Sequence, residues 1–147
     1  MNDPQARLEE LVEKLREQDY RITPQRLAIL RILADSNGHP SAEHIFYQIK
    51  GEFPTTSLAT VYKTIATLKA MGEVLELGFA DDSNRYDGNN PYPHTHLICV
   101  KCRSIVDPAV EDLEILPQKV AQGVGYQLVG HQFDIYGICP SCRSEEQ

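Results

Sequence analysis

The residues of this chain best suited to chemistry are four cysteines, arranged as two Cys-x-x-Cys pairs, Cys99/Cys102 and Cys139/Cys142, with 36 residues between the pairs. Two residues between cysteines let both thiolates reach one tetrahedral ion from a tight turn, and two such turns complete a four-thiolate site. The cysteine count is then used up. The spacing predicts one zinc ion joining two distant segments. With no coordination position left for substrate, its role is structural. Redox dithiols or ordinary buried cysteines are the competing reading.

A second constellation precedes the first pair. His94 and His96 stand two residues apart, and in a strand such residues share a face, so both imidazoles can meet one ion. On spacing alone, solvated side chains are the simpler reading. The signal gains from Asp87 just upstream, Asp107 one strand on, and His39 in an N-terminal loop. With every thiol assigned to zinc, these donors are nitrogen and oxygen only. Such a set suits Fe2+ or Mn2+, with Zn2+ able to intrude on affinity. An open position would also permit metal-dependent hydrolysis, although the chain has no HExxH and no obvious separate general base. A metal carrier or store is a third possibility.

These side chains need elements to position them. Residues 4–19 have the apolar spacing of an amphipathic helix. Thr23 followed by Pro24 opens a second, which ends near Asn37-Gly38. Ser41, with His44 three residues on, is a weak cap for a third helix ending at Lys50-Gly51. A fourth begins after Thr56 or Ser57 and closes at Gly72. Its Leu58, Val61, Ile65 and Leu68 fall in one sector, while Thr56, Thr60, Lys63 and Thr67 fall opposite, with Tyr62 at the margin. No acidic residue occurs between Glu52 and Glu73, so this polar face can approach phosphates without repulsion. Val74–Phe79, a turn at 81–84 and Arg85–Asp87 then read as a β-hairpin. Helices followed by a hairpin give the layout of a winged helix. GNNPYP at 88–93 reads as a linker. Beyond it, His96–Val100, Ser104–Val106 and Tyr126–Ile138 are strand-like, with a helix over Val110–Gln122 that Pro117 should shorten or kink.

Charge separates the same two halves. Of the net −7, residues 1–72 contribute nothing (nine basic, nine acidic) and residues 73–147 contribute all of it (five basic, twelve acidic). Within 21–72 there are six basic residues to three acidic, which places any phosphate-binding surface in the first half. No apolar run reaches 18 residues and MNDPQARLEE has no secretory pattern, so no membrane span and a cytoplasmic location are expected.

The chain closely resembles the ferric uptake regulator family of bacterial metal-dependent repressors. The matching motifs are RITPQR at 21–26, HPSA at 39–42, SLATVYK at 57–63, RYD at 85–87, HTHLICVKC at 94–102, IVD at 105–107 and IYGICPSC at 135–142. The resemblance implies an α+β homodimer. A winged-helix DNA-binding domain (1–87) would be followed by a hinge (88–93) and an α/β dimerisation domain (94–147) holding structural Zn2+. It implies that Tyr62 and Lys63 on the recognition helix contact bases of a double-stranded operator with an inverted repeat, with Thr60 beside them, and that Arg21 approaches the minor groove. It implies a regulatory Fe2+ or Mn2+ bound by His39, Asp87, His94, His96 and Asp107.

Two features separate subfamilies. Iron-uptake regulators carry His-His-Asp-His where this chain has Pro93-His94-Thr95-His96, and Glu where it has Asp107. Glu114 and His131 match only the remainder of a further metal site. Asp107 and the His-x-His pair resemble the peroxide-responsive repressors. In those, Fe2+ reduces peroxide and an imidazole ligand becomes 2-oxo-histidine; His39 and His94 are the matching positions. The oxidised ring binds metal poorly and DNA is released. An iron-uptake repressor is the alternative. Either way the chain is expected to be no enzyme.

Overall fold

The computed structural model describes residues 3–35, 39–78, 84–90, 94–108 and 110–145. By contacts the chain divides into two units, Met1–Pro91 and Tyr92–Gln147. No helix among the described residues is long and apolar enough to cross a membrane.

The first unit comprises α1 (Pro4–Glu17), α2 (Pro24–Asp35), α3 (Ala42–Lys50), α4 (Leu58–Ala70), β1 (Leu75–Leu77) and β2 (Arg85–Asp87). Side chains satisfy the first free amides of each helix. Asp3 accepts from Ala6 N, Ser41 from His44 N and Ser57 from Thr60 N. Thr23 Oγ1 accepts from Arg26 N at 3.1 Å. Gly72, at φ 75°, ends the turn after α4, a conformation that costs a residue with a Cβ. The apolar stripes meet in one core, with Leu11, Leu15, Leu30, Leu33, Ile45 and Leu68 fully buried. β1 and β2 pair antiparallel, Leu75 opposite Asp87 and Leu77 opposite Arg85. Four helices and a two-stranded wing make this a winged helix. Residues 81–83 of the expected hairpin turn, and the end expected for α2 near Asn37-Gly38, lie outside the described residues. Thr56 corrects its expected place on the polar face of α4. It precedes the helix and is buried.

Polar atoms also tie this unit together. Arg7 is 2% exposed. Its Nε donates to Gly88 O at 2.7 Å, and its Nη2 to Glu73 O at 3.0 Å and Glu73 Oε2 at 2.9 Å. Lys14 Nζ reaches the other Glu73 oxygen at 2.8 Å. Burial pushes the Glu73 carboxyl up, but the bonds from Lys14 and Arg7 outweigh it and hold it below the usual range. A depressed carboxylate stabilises the fold above its unfolded-state pKa, and that stability is lost as pH falls through the folded value. Arg7→Met would strand the Gly88 carbonyl and part of the Glu73 charge. The expected cost is about 3 kcal/mol in urea unfolding at neutral pH, narrowing on acidification. An equal loss at every pH would count against the Glu73 contribution. Gly88 itself has no room for a side chain, because a Cβ there would lie 2.8 Å from Leu33 Cβ and 2.9 Å from Leu33 O.

The second unit comprises β3 (Thr95–Cys99), β4 (Ile105–Val106), α5 (Glu111–Gly123), β5 (Phe133–Gly137) and α6 (Pro140–Glu145). The sheet order is β4-β3-β5. β3 pairs antiparallel with β4 across the turn that carries Cys102, and parallel with β5. The parallel pairing needs a crossover, which α5 supplies. Two expectations are corrected here. The predicted strand Tyr126–Ile138 is a strand only over Phe133–Gly137. Period-2 apolar residues need a neighbouring strand, and among the described residues of this unit Tyr126–Gln132 has none. Tyr126 and Val129 are instead 75% and 95% exposed. The helix around Pro117 is not shortened but runs 13 residues with the proline inside it, its other positions being mostly good helix formers.

Candidate metal centres and nucleic-acid face

The four thiols converge in the second unit. β3 delivers Cys99 at its end, the following turn delivers Cys102, and Cys139 and Cys142 flank the start of α6. Their Sγ atoms all lie within 4.8 Å of one another, with Cys102 and Cys139 at 3.7 Å. Thiolates about 2.3 Å from a tetrahedral ion sit about 3.8 Å apart, so the quartet fits one. Cys139 N donates to Cys99 Sγ at 3.3 Å. Backbone hydrogen bonds from Cys102 and Cys139 draw the Cys99 thiol down to about 6. The Cys142 thiol is pushed up to about 12, first by its hydrogen bond with Cys139 and then by burial. Four thiols this close resist ionising together, and a bound cation removes that conflict.

The second unit also gathers three of the predicted nitrogen and oxygen donors. The His94 and His96 rings share a face, with centroids 4.3 Å apart. Asp107, just after β4, places Oδ2 3.5 Å from His94 Nε2 and Oδ1 3.9 Å from His96 Nε2. These separations exceed an ordinary hydrogen bond. They match two ligands each about 2.1 Å from one ion, which lie about 3.0 to 4.2 Å apart. The other two predicted donors meet within the first unit. His39 Nε2 is 3.4 Å from Asp87 Oδ2, and both residues are buried. Asp87 Oδ1 accepts from Asn89 N and Asn90 N, each at 3.0 Å, which fixes the carboxylate. His39 has φ 46°, a left-handed backbone uncommon outside glycine, and its carbonyl accepts from Arg85 Nε.

The predicted DNA-contacting residues all belong to the first unit. Arg21, Thr60, Tyr62 and Lys63 are exposed. Thr60 lies in the first turn of α4, and Tyr62 and Lys63 follow on its exposed side. Tyr62 OH donates to Glu43 Oε1 on α3 at 2.5 Å. That bond, and then burial, raise the phenol above its ordinary range and keep it neutral.

The sequence profile of the Ferric uptake regulator family matches residues 17–136. The chain belongs to the ferric uptake regulator family. Family membership makes it a regulator and not an enzyme. Within the family, it is 40% identical over 141 residues to the Peroxide-responsive repressor PerR of Staphylococcus epidermidis, covering 94% of this chain and 91% of that one. The crystal structure of the Campylobacter jejuni peroxide stress regulator superposes with TM-score 0.71 at 31% identity, covering 90% of this chain and 98% of that one. The Helicobacter pylori ferric uptake regulator Fur superposes with TM-score 0.83 over 99% of this chain and 97% of that one. At 23% identity this last likeness speaks for the family fold.

Sequence reasoning missed Asp134, which meets His96, and Gln132, which meets Asp134. No motif marks either residue. The signal that finds them is the β3–β5 register, which sets His96 opposite Asp134. Of the remaining half-matched metal site, His131 is half-buried, and the side chain of Glu114 lies outside the described residues.

Proposed function

We propose that this chain is a homodimeric, metal-dependent transcriptional repressor that senses peroxide. The convergence of His94, His96 and Asp107 with no thiol among them carries the reading. Two imidazoles and one carboxylate leave positions open and favour Fe2+. His39 and Asp87 would add donors from the winged helix. An ion that gains a ligand in only one arrangement of the two units biases the chain toward that arrangement. When bound, Fe2+ would supply the electrons that reduce hydrogen peroxide, at the expense of a neighbouring imidazole. His39 and His94 would be the rings modified, and their loss as donors would release DNA. Mn2+ would support DNA binding without that chemistry.

Other features support the remaining parts of this reading. The exposed residues of α4 carry no carboxylate, which suits an operator contact through Thr60, Tyr62 and Lys63 with Arg21 alongside. Such binding weakens steeply with salt. A homodimer is supported by the apolar surface that the second unit leaves open, with Val120 61%, Val124 70% and Tyr126 75% exposed. That surface lines a groove of about 560 Å³ with Leu116 and Leu128, and surfaces this apolar mark interfaces. The cysteine quartet is assigned Zn2+ in a structural role.

The test loads the protein with Fe2+, adds a low dose of peroxide, and maps modification by digestion and mass spectrometry. One added oxygen on peptides holding His39 or His94, together with loss of DNA binding, is expected. Oxidation confined to cysteines, or none while DNA binding persists, would overturn peroxide sensing. Metal-dependent DNA binding that survives peroxide would point to the iron-uptake type.

A further inference from the structure

We propose that Asp134, braced by Gln132, is a positioning residue that fixes His96 as a metal ligand. The proposal rests on the reading of His96 as a regulatory-metal donor. In the parallel ladder of β3 and β5, Asp134 stands opposite His96. Its Oδ1 lies 3.1 Å from His96 Nδ1. Its second oxygen, Oδ2, accepts from Gln132 Nε2 at 2.7 Å. The His96 and Asp134 side chains are 5% and 11% exposed, so water competes weakly for either atom.

The chemistry follows from which nitrogen faces which carboxylate. An ionised carboxylate only accepts hydrogen bonds, whereas a neutral imidazole carries its proton on either nitrogen. Asp134 therefore keeps the proton on Nδ1 and leaves Nε2 as the unprotonated nitrogen, the one able to donate a lone pair. Nε2 is the atom turned toward Asp107, on the side where His94 also points its Nε2. Asp134 sits on the opposite edge of the ring and is no ligand to that ion. A carboxylate behind a ligating histidine also raises the donor's basicity and locks the ring plane. Gln132 occupies the second oxygen of Asp134 and stops the carboxylate from turning away. The two aspartates near His96 thus have separate tasks: Asp107 faces the metal and Asp134 faces the proton.

The test uses the full-length protein with its cysteine site filled and Mn2+ as a redox-silent probe. Nitrogen NMR of histidine is expected to show the His96 proton on Nδ1 in the unsubstituted protein, and a mixture of tautomers in Asp134→Asn. Mn2+ affinity is expected to fall about 10- to 100-fold in Asp134→Asn, and less in Gln132→Leu. Zinc content and thermal midpoint should not change. Asp134→Glu should restore part of the affinity. A His96 proton found on Nε2 in the unsubstituted protein would overturn the proposal without any variant. So would an Asp134→Asn protein that binds Mn2+ within twofold while His96→Ala does not. If His96→Ala itself leaves Mn2+ binding intact, the failure lies instead with the regulatory-metal reading.

Discussion

If the quartet holds zinc as proposed, replacing Cys142 with serine is expected to abolish zinc binding there and unfold the second unit, the largest single effect we anticipate in this chain. The unit has little else to hold it. Among its described apolar residues, only Ile98, Cys99, Ile105, Ala121 and Cys142 are buried, so two members of this short core are themselves thiols. A unit this small rarely stabilises itself by apolar burial alone and relies on a metal or on association. Structural zinc contributes on the order of 10 kcal/mol or more to folding in comparable small sites, and losing one ligand of four forfeits much of that. The expected result is less than one zinc per chain, loss of the proposed dimer in sedimentation, and loss of far-UV signal from α5 and the sheet. A Cys142→Ser protein with full zinc content, native sedimentation and an unchanged melting midpoint would refute the structural role. The first unit, with its own closed core of helices, should keep its helical signal.

The second large effect is expected at Asp87, and it should leave folding alone. Asp87→Asn keeps an oxygen to accept from the Asn89 and Asn90 amides, so the turn after β2 stays formed. What changes is the other position, the oxygen that now lies 3.4 Å from His39 Nε2, where a charge is lost. If that oxygen ligates the regulatory metal, DNA affinity in the presence of Mn2+ should fall about 100-fold, equivalent to about 2.7 kcal/mol. Zinc content and unfolding midpoint should match the unsubstituted protein. Fluorescence anisotropy on an inverted-repeat operator, titrated with Mn2+, would read this out. A titration curve superimposable on that of the unsubstituted chain would remove Asp87 from the ligand set.

Much of the first unit is legible in the sequence because local chemistry marks it. Thr23-Pro24, Ser41 and Ser57 are capping signals that need no tertiary context, and each begins a helix where expected. The apolar sector of α4 needs only the helical period, and Val61, Ile65 and Leu68 are indeed buried. The quartet is legible because Cys-x-x-Cys encodes its own geometry. What stays hidden depends on pairing across distance. Arg7 reads as an ordinary surface cation of an amphipathic helix, yet it is buried against Glu73 and Gly88. No local rule joins residue 7 to residue 88. Asp134 is hidden for the same reason, since its meaning comes from a register between strands that α5 separates. The segment from Tyr126 misleads in the opposite way. Its alternation is strand-like, but a strand needs a partner as well as a pattern.

The five residues of β3 carry a genetic consequence. His96 and Cys99 lie three apart, on opposite faces of one short strand, so each metal cluster takes a ligand from the same stretch of gene. An in-frame loss of the single codon for Leu97 would turn the downstream half of the strand over. With Cys99 then on the face of His96, the thiol and imidazole clusters could not both form. Point mutations can damage one cluster and spare the other. A one-codon indel between positions 96 and 99 should always cost at least one of the two clusters, which leaves this stretch little tolerance for length variation.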